Sequence, residues 1–184
     1  DLAHLLQHYR GDRPIFDMYQ IEEEIEKALS RQVDLKSGAY LVIDQTEAMT
    51  TIDVNTGGFV GSHTLEQTVF RTNLEAAVAI GRQLRLRNLG GIVAIDFIDM
   101  KDEEHQRQVL RTLEHSIEGD PVRIRISGFN EMGLVILTRK RSRECLSGLL
   151  QEFCPQCRGT GQIKTPETVC YEIFRAVMRE YRAY

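Results

Sequence analysis

Apolar residues recur along the chain with two different spacings, and the switches between them divide it into elements. After a breaker at residues 10–14 (R-G-D-R-P), Ile21, Ile25, Ala28 and Leu29 return at helical intervals among acidic residues. Residues 1–34 therefore read as helix, loop, helix, with Ser37-Gly38 as the next boundary. Residues 39–44 are an apolar run of strand length and 49–55 a second, and the 45–48 connection suits a hairpin. Gly57-Gly58 closes this unit and 60–63 continues as loop. Thr64 and Gln67 have capping-box spacing. They predict a helix to about Asn88, with Val69, Ala76, Ala77, Ile80 and Leu84 on its inward stripe and Gly90-Gly91 as the stop.

Residues 92–97 are apolar apart from Asp96, and a helix on each side predicts a central strand buried on both faces. Another helix is predicted over about 102–118, with Val109, Leu110, Leu113 and Ile117 inward. Residues 122–129 and 134–140 read as two strands joined around Gly133. In the first, Val122, Ile124 and Ile126 alternate with Arg123 and Arg125, which makes one face dry and the other basic. A helix follows over about 142–152. Beyond the glycine-rich C-P-Q-C-R-G-T-G-Q at 154–162, Thr165-Pro166-Glu167 opens a last helix, with Pro166 suited to its first position. No internal repeat or low-complexity segment is visible. The predicted fold class is α/β to α+β: a mixed β-sheet flanked by helices, then a cysteine knuckle and a terminal helix.

The chain's 184 residues suffice for one substantial domain, or a domain plus a fragment. With 42% hydrophobic and 27% charged residues, it is neither disordered, collagen-like nor a long coiled coil. No apolar run approaches the roughly 20 residues of a membrane helix, and no signal segment opens the chain. Because it starts inside what reads as a helix, it is expected to be cut from something longer, and a soluble, intracellular protein is the default expectation. The net charge of −4 is unlike that of a module that only grips nucleic acid. It still allows a nucleic-acid enzyme, because bound metal offsets site carboxylates. Trp is absent, so base stacking is not advertised.

Three polar residues stand out. In T-T-I-D-V-N-T, period two places Asp53 and Asn55 on one face while Ile52 and Val54 point to the core. Asp96 interrupts an apolar strand where it should emerge, and a buried unpaired carboxylate is costly enough to demand a cation or strong donors. If the two strands are neighbours, Asp53 and Asp96 converge, and one or two carboxylates plus waters is what Mg²⁺ takes from protein. The alternative is that both are strand-end residues paired to backbone or Arg. Asp44, Glu47 and Asp99 are of the same type, with Asp44 and Asp99 reading as turn acceptors.

Cys154 and Cys157 have the C-x-x-C spacing of half a tetrahedral zinc site. Cys145 and Cys170, another segment, or the pair of a second copy could complete it. Cys145 and Cys170 read as small core residues in helices, so a structural zinc shared by two subunits is preferred. A thioredoxin-like pair fits poorly, because the motif follows a helix and opens onto glycines. The run Arg139, Lys140, Arg141, Arg143 is read as either a phosphate contact or a solvated face. Arg82, Arg85 and Arg87 have an ordinary salt-bridge explanation, and His63 and His105 look like surface residues.

The blocks I-D-Q-T-E-A-M-T-T-I-D-V-N-T-G, R-Q-L-R-L-R-N-L-G-G-I-V-A-I-D-F-I-D-M and C-P-Q-C-R-G-T-G together resemble the bacterial ribonuclease E/G family over essentially the whole chain. The tail K-T-P-E-T-V-C-Y-E-I is more similar to the G branch than to the E branch. The resemblance implies a single-strand-specific endoribonuclease of the bacterial cytoplasm that cuts RNA with Mg²⁺, leaving a 5′-phosphate and a 3′-hydroxyl. It implies that Asp53 and Asp96 hold the metal, that Asn55 hydrogen-bonds at the scissile phosphate, and that Cys154 and Cys157 form a zinc-link joining a homodimer, possibly a higher oligomer. Residues 1–34 would end a ribonuclease H-like part, 35–150 would be a deoxyribonuclease I-like subdomain, 151–163 the zinc-link, and 164–184 the start of a small dimerisation domain. The family's S1 domain and 5′-monophosphate sensor would lie upstream of Asp1. The competing expectation is a zinc-organised binding or assembly module without catalysis, since C-P-Q-C-R-G-T-G also resembles the repeat of DnaJ-type zinc domains. Those carry several copies, whereas this chain has one. A third is a folded but inactive dimerising scaffold.

Overall fold

The computed structural model describes residues 3–58 and 65–183. The loop expected at 60–63, with His63, and the expected cap Thr64 lie outside the described residues. The chain divides into two units, Asp1–Leu149 and Leu150–Tyr184.

The first unit is built on one six-stranded sheet of β1 (Gln32–Asp34), β2 (Tyr40–Gln45), β3 (Met49–Asn55), β4 (Gly91–Asp96), β5 (Ile124–Phe129) and β6 (Leu134–Arg139). Its order is β1-β2-β3-β4-β6-β5. β3 and β4 run parallel and the other described neighbours are antiparallel, so the sheet is mixed, as predicted. The parallel pair requires a crossover, which the 22-residue helix α3 (Leu65–Leu86) supplies, α1 (Ile15–Met18) and α2 (Ile21–Leu29) having preceded the sheet. Helix α4 (Glu103–Ser116) then leads to β5. The hydrophobic core lies on one side of the sheet. Ile52, Val54, Val93, Ile95, Val135 and Leu137 pack there against Ala76, Ala77, Ile80 and Leu84 of α3 and Val109 and Leu113 of α4. The two helices cross where Gly81 meets Ser116: a Cβ on Gly81 would stand 2.2 Å from the Ser116 Oγ. The Ser116 hydroxyl donates to the Ala77 carbonyl (3.1 Å).

This one-sided arrangement corrects the expectation that β4 is dry on both faces. Its outward residue Ile92 is 43% exposed, and Ile136 of β6, the register partner of Ala94, is 38% exposed. Both flanking helices pack on the same face, so the other stays open. The strand β1 was not anticipated within 1–34, because its only apolar residue is Val33. The helix expected over 142–152 is only α5 (Leu146–Leu150). Asn88 Nδ2 donates to the Arg143 and Glu144 carbonyls (3.1 and 3.0 Å), and the Leu146 amide donates to the Arg87 carbonyl, tying the preceding backbone to the end of α3 instead of into a helix.

The second unit holds the cysteine knuckle and α6 (Pro166–Ala183), whose first residue is the expected proline. The Thr165 hydroxyl caps it by accepting from the Thr168 amide (3.2 Å). Ile173, Phe174, Val177 and Tyr181 are exposed along it.

Candidate active site

Alternation along β3 sends Ile52 and Val54 into the core and leaves Asp53 exposed and Asn55 half-buried on the open face. The Asn55 amide donates to Asp53 Oδ2 (2.8 Å). The parallel register makes Asp53 the Cα partner of Asp96, and adjacent strands lie about 4.8 Å apart. The structure thus brings Asp53, Asn55 and Asp96 together at the carboxyl ends of two parallel strands, a place where open sheets commonly receive ligands.

Asp96 is exposed rather than buried, because β4 ends on the uncovered face. It has no hydrogen-bond or ion-pair partner among the described residues, so neither an Arg nor a backbone donor neutralises it. Partial desolvation at the strand end, then the charge of Asp53, then that of Asp99, hold its carboxyl above the usual carboxylate range. Converging acceptor oxygens without a basic partner fit a divalent cation. Among the described residues no three His, Cys, Asp or Glu side chains form a metal cage. Two carboxylates are nonetheless what Mg²⁺ usually requires, with waters completing its shell.

The segment 97–102 beyond Asp96 is fastened from behind. Asn73, fully buried on α3, bonds both backbone groups of Ile98. Gln106 Nε2 donates to the Met100 carbonyl (2.9 Å), and Asp102 caps α4 by accepting from the Glu104 amide (2.8 Å). Sequence reasoning overlooked Asn73. Its signal was a polar residue at the i+4 position from Val69 on an otherwise apolar stripe. His105 is not the surface residue expected: its ring stacks on Phe70 with centroids 4.0 Å apart, and its Nδ1 is buried without a partner among the described residues.

Other expectations are also corrected. Asp44 is no turn acceptor but lies in β2, paired to Arg31 through Nε–Oδ1 (2.5 Å) and Nη2–Oδ2 (2.6 Å). Thr46 closes that turn instead. Arg139 faces neither phosphate nor solvent. It is 4% exposed, pairs with Asp120 (Nε–Oδ2 3.0 Å), and donates to Asn88 Oδ1 and the Leu89 carbonyl. Arg141 lies over Gly90 and Gly91. Arg82 pairs with Glu24, whereas Arg85 donates to the Ser116 carbonyl, and Arg87 is buried against Gln83 and the Ser30 carbonyl.

In the knuckle, the Arg158 amide donates to the Cys154 carbonyl (2.7 Å) and the Thr160 amide to that of Cys157 (3.0 Å). The backbone N–H of Cys157, then that of Gln156, then the Cys157 thiol, bond the Cys154 sulfur and lower its pKa, which favours the thiolate a metal binds. Cys170 is exposed on α6 rather than a core residue, and Cys145 precedes α5, half-buried against Ser147 and Gln45.

Comparison with known proteins places these features in context. The model of the ribonuclease E/G family matches residues 1–142. The chain is 56% identical over all its 184 residues to a ribonuclease G of Salmonella typhimurium and 55% to a ribonuclease G of Escherichia coli, covering 38% of each. It is 43% identical over 180 residues, 98% of its length, to a ribonuclease E of Escherichia coli, covering 17% of that protein. The chain therefore spans well under half the length of these relatives.

Proposed function

The chain belongs to the ribonuclease E/G family, and from that membership we propose that it carries the catalytic centre of an endoribonuclease acting on single-stranded RNA in RNA processing and decay, such as rRNA maturation and mRNA turnover. The observation that carries this reading is the pairing of Asp53 with Asp96 on the open face of the sheet, with Asn55 bonded to Asp53. Asp53 and Asp96 would hold Mg²⁺. When bound, the ion would supply charge neutralisation at the phosphate and an activated water.

The chain's own residues do the positioning. The bond to Asp53 uses one of the two Asn55 amide protons and fixes the group, leaving the second proton for a phosphate oxygen of the substrate. The uncovered face admits a phosphodiester from solvent. Hydrolysis adds the water oxygen to phosphorus and breaks the P–O3′ bond. The 3′-oxygen leaves with a proton, giving 5′-phosphate and 3′-hydroxyl ends.

Cys154 and Cys157 would supply half of a tetrahedral zinc site, with the same pair of a second copy as the other half, and so link a homodimer able to build higher assemblies. In this reading residues 1–34 end a ribonuclease H-like part, 35–150 form a deoxyribonuclease I-like subdomain, 151–163 the zinc-link and 164–184 the start of a dimerisation domain. No helix among the described residues is long and apolar enough to cross a membrane, and the proposed site of action is the bacterial cytoplasm.

The test is Asp53→Asn, introduced into a full-length ribonuclease G carrying this chain in place of the equivalent residues. Cleavage of a single-stranded RNA should vanish while thermal unfolding stays within a degree or two, as for an ordinary surface substitution. Near-normal turnover would refute the assignment.

A further inference from the structure

We propose that Asn73 is a positioning residue that holds the Asp96–Asp99 segment against Asp53, an inference that rests on the reading of Asp53 and Asp96 as a divalent-cation pair. Asn73 is 0% exposed in the middle of α3. Its Nδ2 donates to the Ile98 carbonyl (2.7 Å) and its Oδ1 accepts from the Ile98 amide (3.1 Å). One side chain thus saturates both backbone groups of a residue two beyond Asp96 and one before Asp99.

The need for such a clamp follows from the charges. Asp53 and Asp96 are register partners on neighbouring strands, and Asp99 follows three residues beyond Asp96 on the same segment. Like charges held near one another repel, and Asp96 and Asp99 sit at and beyond the strand end, where ladder bonds stop. A tether there must be neutral, buried, and donor and acceptor at once. A primary amide meets all three conditions. Asp at position 73 would set an acceptor against the Ile98 carbonyl and bury a charge, whereas Leu would match the shape and leave both Ile98 groups unpaired. If Asn73 served only the core, its amide would carry no function beyond stability, and Asn is a poor choice on an apolar helical stripe.

Mn²⁺ binding to this chain, read from the electron paramagnetic resonance signal of the free ion, tests the proposal without any activity assay. Asn73→Leu should weaken binding roughly 10–100-fold, the usual effect of removing a group that orients a ligand. Leu113→Ala, a core substitution under the same sheet, should lower thermal stability yet keep wild-type affinity. Should Asn73→Leu not fold, Asn73→Ser is read the same way. In the wild type, hydrogen exchange at the Ile98 amide should be slow, and fast exchange there overturns the clamp whatever the variants do. Wild-type Mn²⁺ affinity in a folded Asn73 variant, alongside loss of binding in Asp96→Asn, sinks this proposal and spares the cation pair. Unchanged binding in both Asp53→Asn and Asp96→Asn sinks the cation pair, and the proposal with it.

Discussion

Asp53 and Asp96, far apart in the chain, are register partners on the two strands of the sheet that run parallel, and their side chains share the face opposite the one packed against α3 and α4. Two carboxylates without an arginine between them are a liability for the isolated fold and an asset for binding a cation.

That tension predicts how stability responds to Mg²⁺ and pH. Asp96 titrates above the usual carboxylate range in the folded chain, so the native state holds this proton more tightly than the unfolded one. Ionised Asp96 therefore subtracts stability, in full once the pH is above its raised pKa, and acidification through that range restores it. At neutral pH Mg²⁺ should raise the melting temperature, by an amount equivalent to about 2.7 kcal/mol at 100 times its Kd. Asp96→Asn should melt no lower than the wild type without metal and should lose the Mg²⁺ response. Calorimetry with and without Mg²⁺ decides, and a variant whose melting temperature still climbs with Mg²⁺ contradicts the pairing.

Asn55 should matter to turnover more than to binding. Removing a preorganised hydrogen-bond donor at a reacting centre lowers kcat by roughly 100- to 1000-fold. Asn55→Ala in the full-length setting should show such a loss with little change in KM, because in the proposed reading one hydrogen bond to a single phosphate adds little to the binding of an extended RNA. Single-turnover cleavage of a short single-stranded RNA measures it, and an effect confined to KM would reassign Asn55 to substrate binding.

The Arg139–Asp120 pair is a stability element. The Asp120 side chain is 1% exposed; desolvation alone would raise its pKa, but the hydrogen bonds of Arg139 and of the Val122 amide outweigh that and hold it below the usual range. The pair's contribution is therefore present above the unfolded carboxylate pKa of about 3.9 and fades as pH falls through the lower folded value. Asp120→Ala should cost about 3–5 kcal/mol at neutral pH, since it leaves a guanidinium buried without its partner. Urea denaturation gives the number, and a loss below about 1 kcal/mol would mean that Asn88 and the Leu89 carbonyl satisfy Arg139 unaided.

The knuckle predicts a metal count. Zinc bound to Cys154 and Cys157 of two copies gives about one ion per two chains in a dimer, and Cys154→Ser should release both zinc and partner. Elemental analysis together with light scattering reads this directly. One ion per monomeric chain would instead favour the zinc-organised assembly module.

Local patterns were legible wherever a short-range rule decides the outcome. Residues 49–55 match β3, and the Val69 to Leu84 stripe of α3 is buried as read. The C-x-x-C spacing likewise announced a turn around two sulfurs. Expectations failed where a distant partner decides. Arg139 looked like part of a basic surface run until Asp120 and the Asn88–Leu89 turn closed over it. His105 gained Phe70 as a stacking partner from another helix, and β1, with one apolar residue, became a strand because β2 offered it an edge.

By itself, the sequence determined which side chains share a face: backbone alternation ties Asp53 to Asn55, and helical pitch ties Val69 to Asn73 and Ala77, without reference to the rest of the chain. Only the tertiary structure decided that Asp96 lies beside Asp53, that the face they share is left open, and that Asn73 reaches Ile98. Strand neighbours and covered faces are set by burying apolar surface between segments distant in the chain, and such burial leaves no mark within the periodicity of either segment alone.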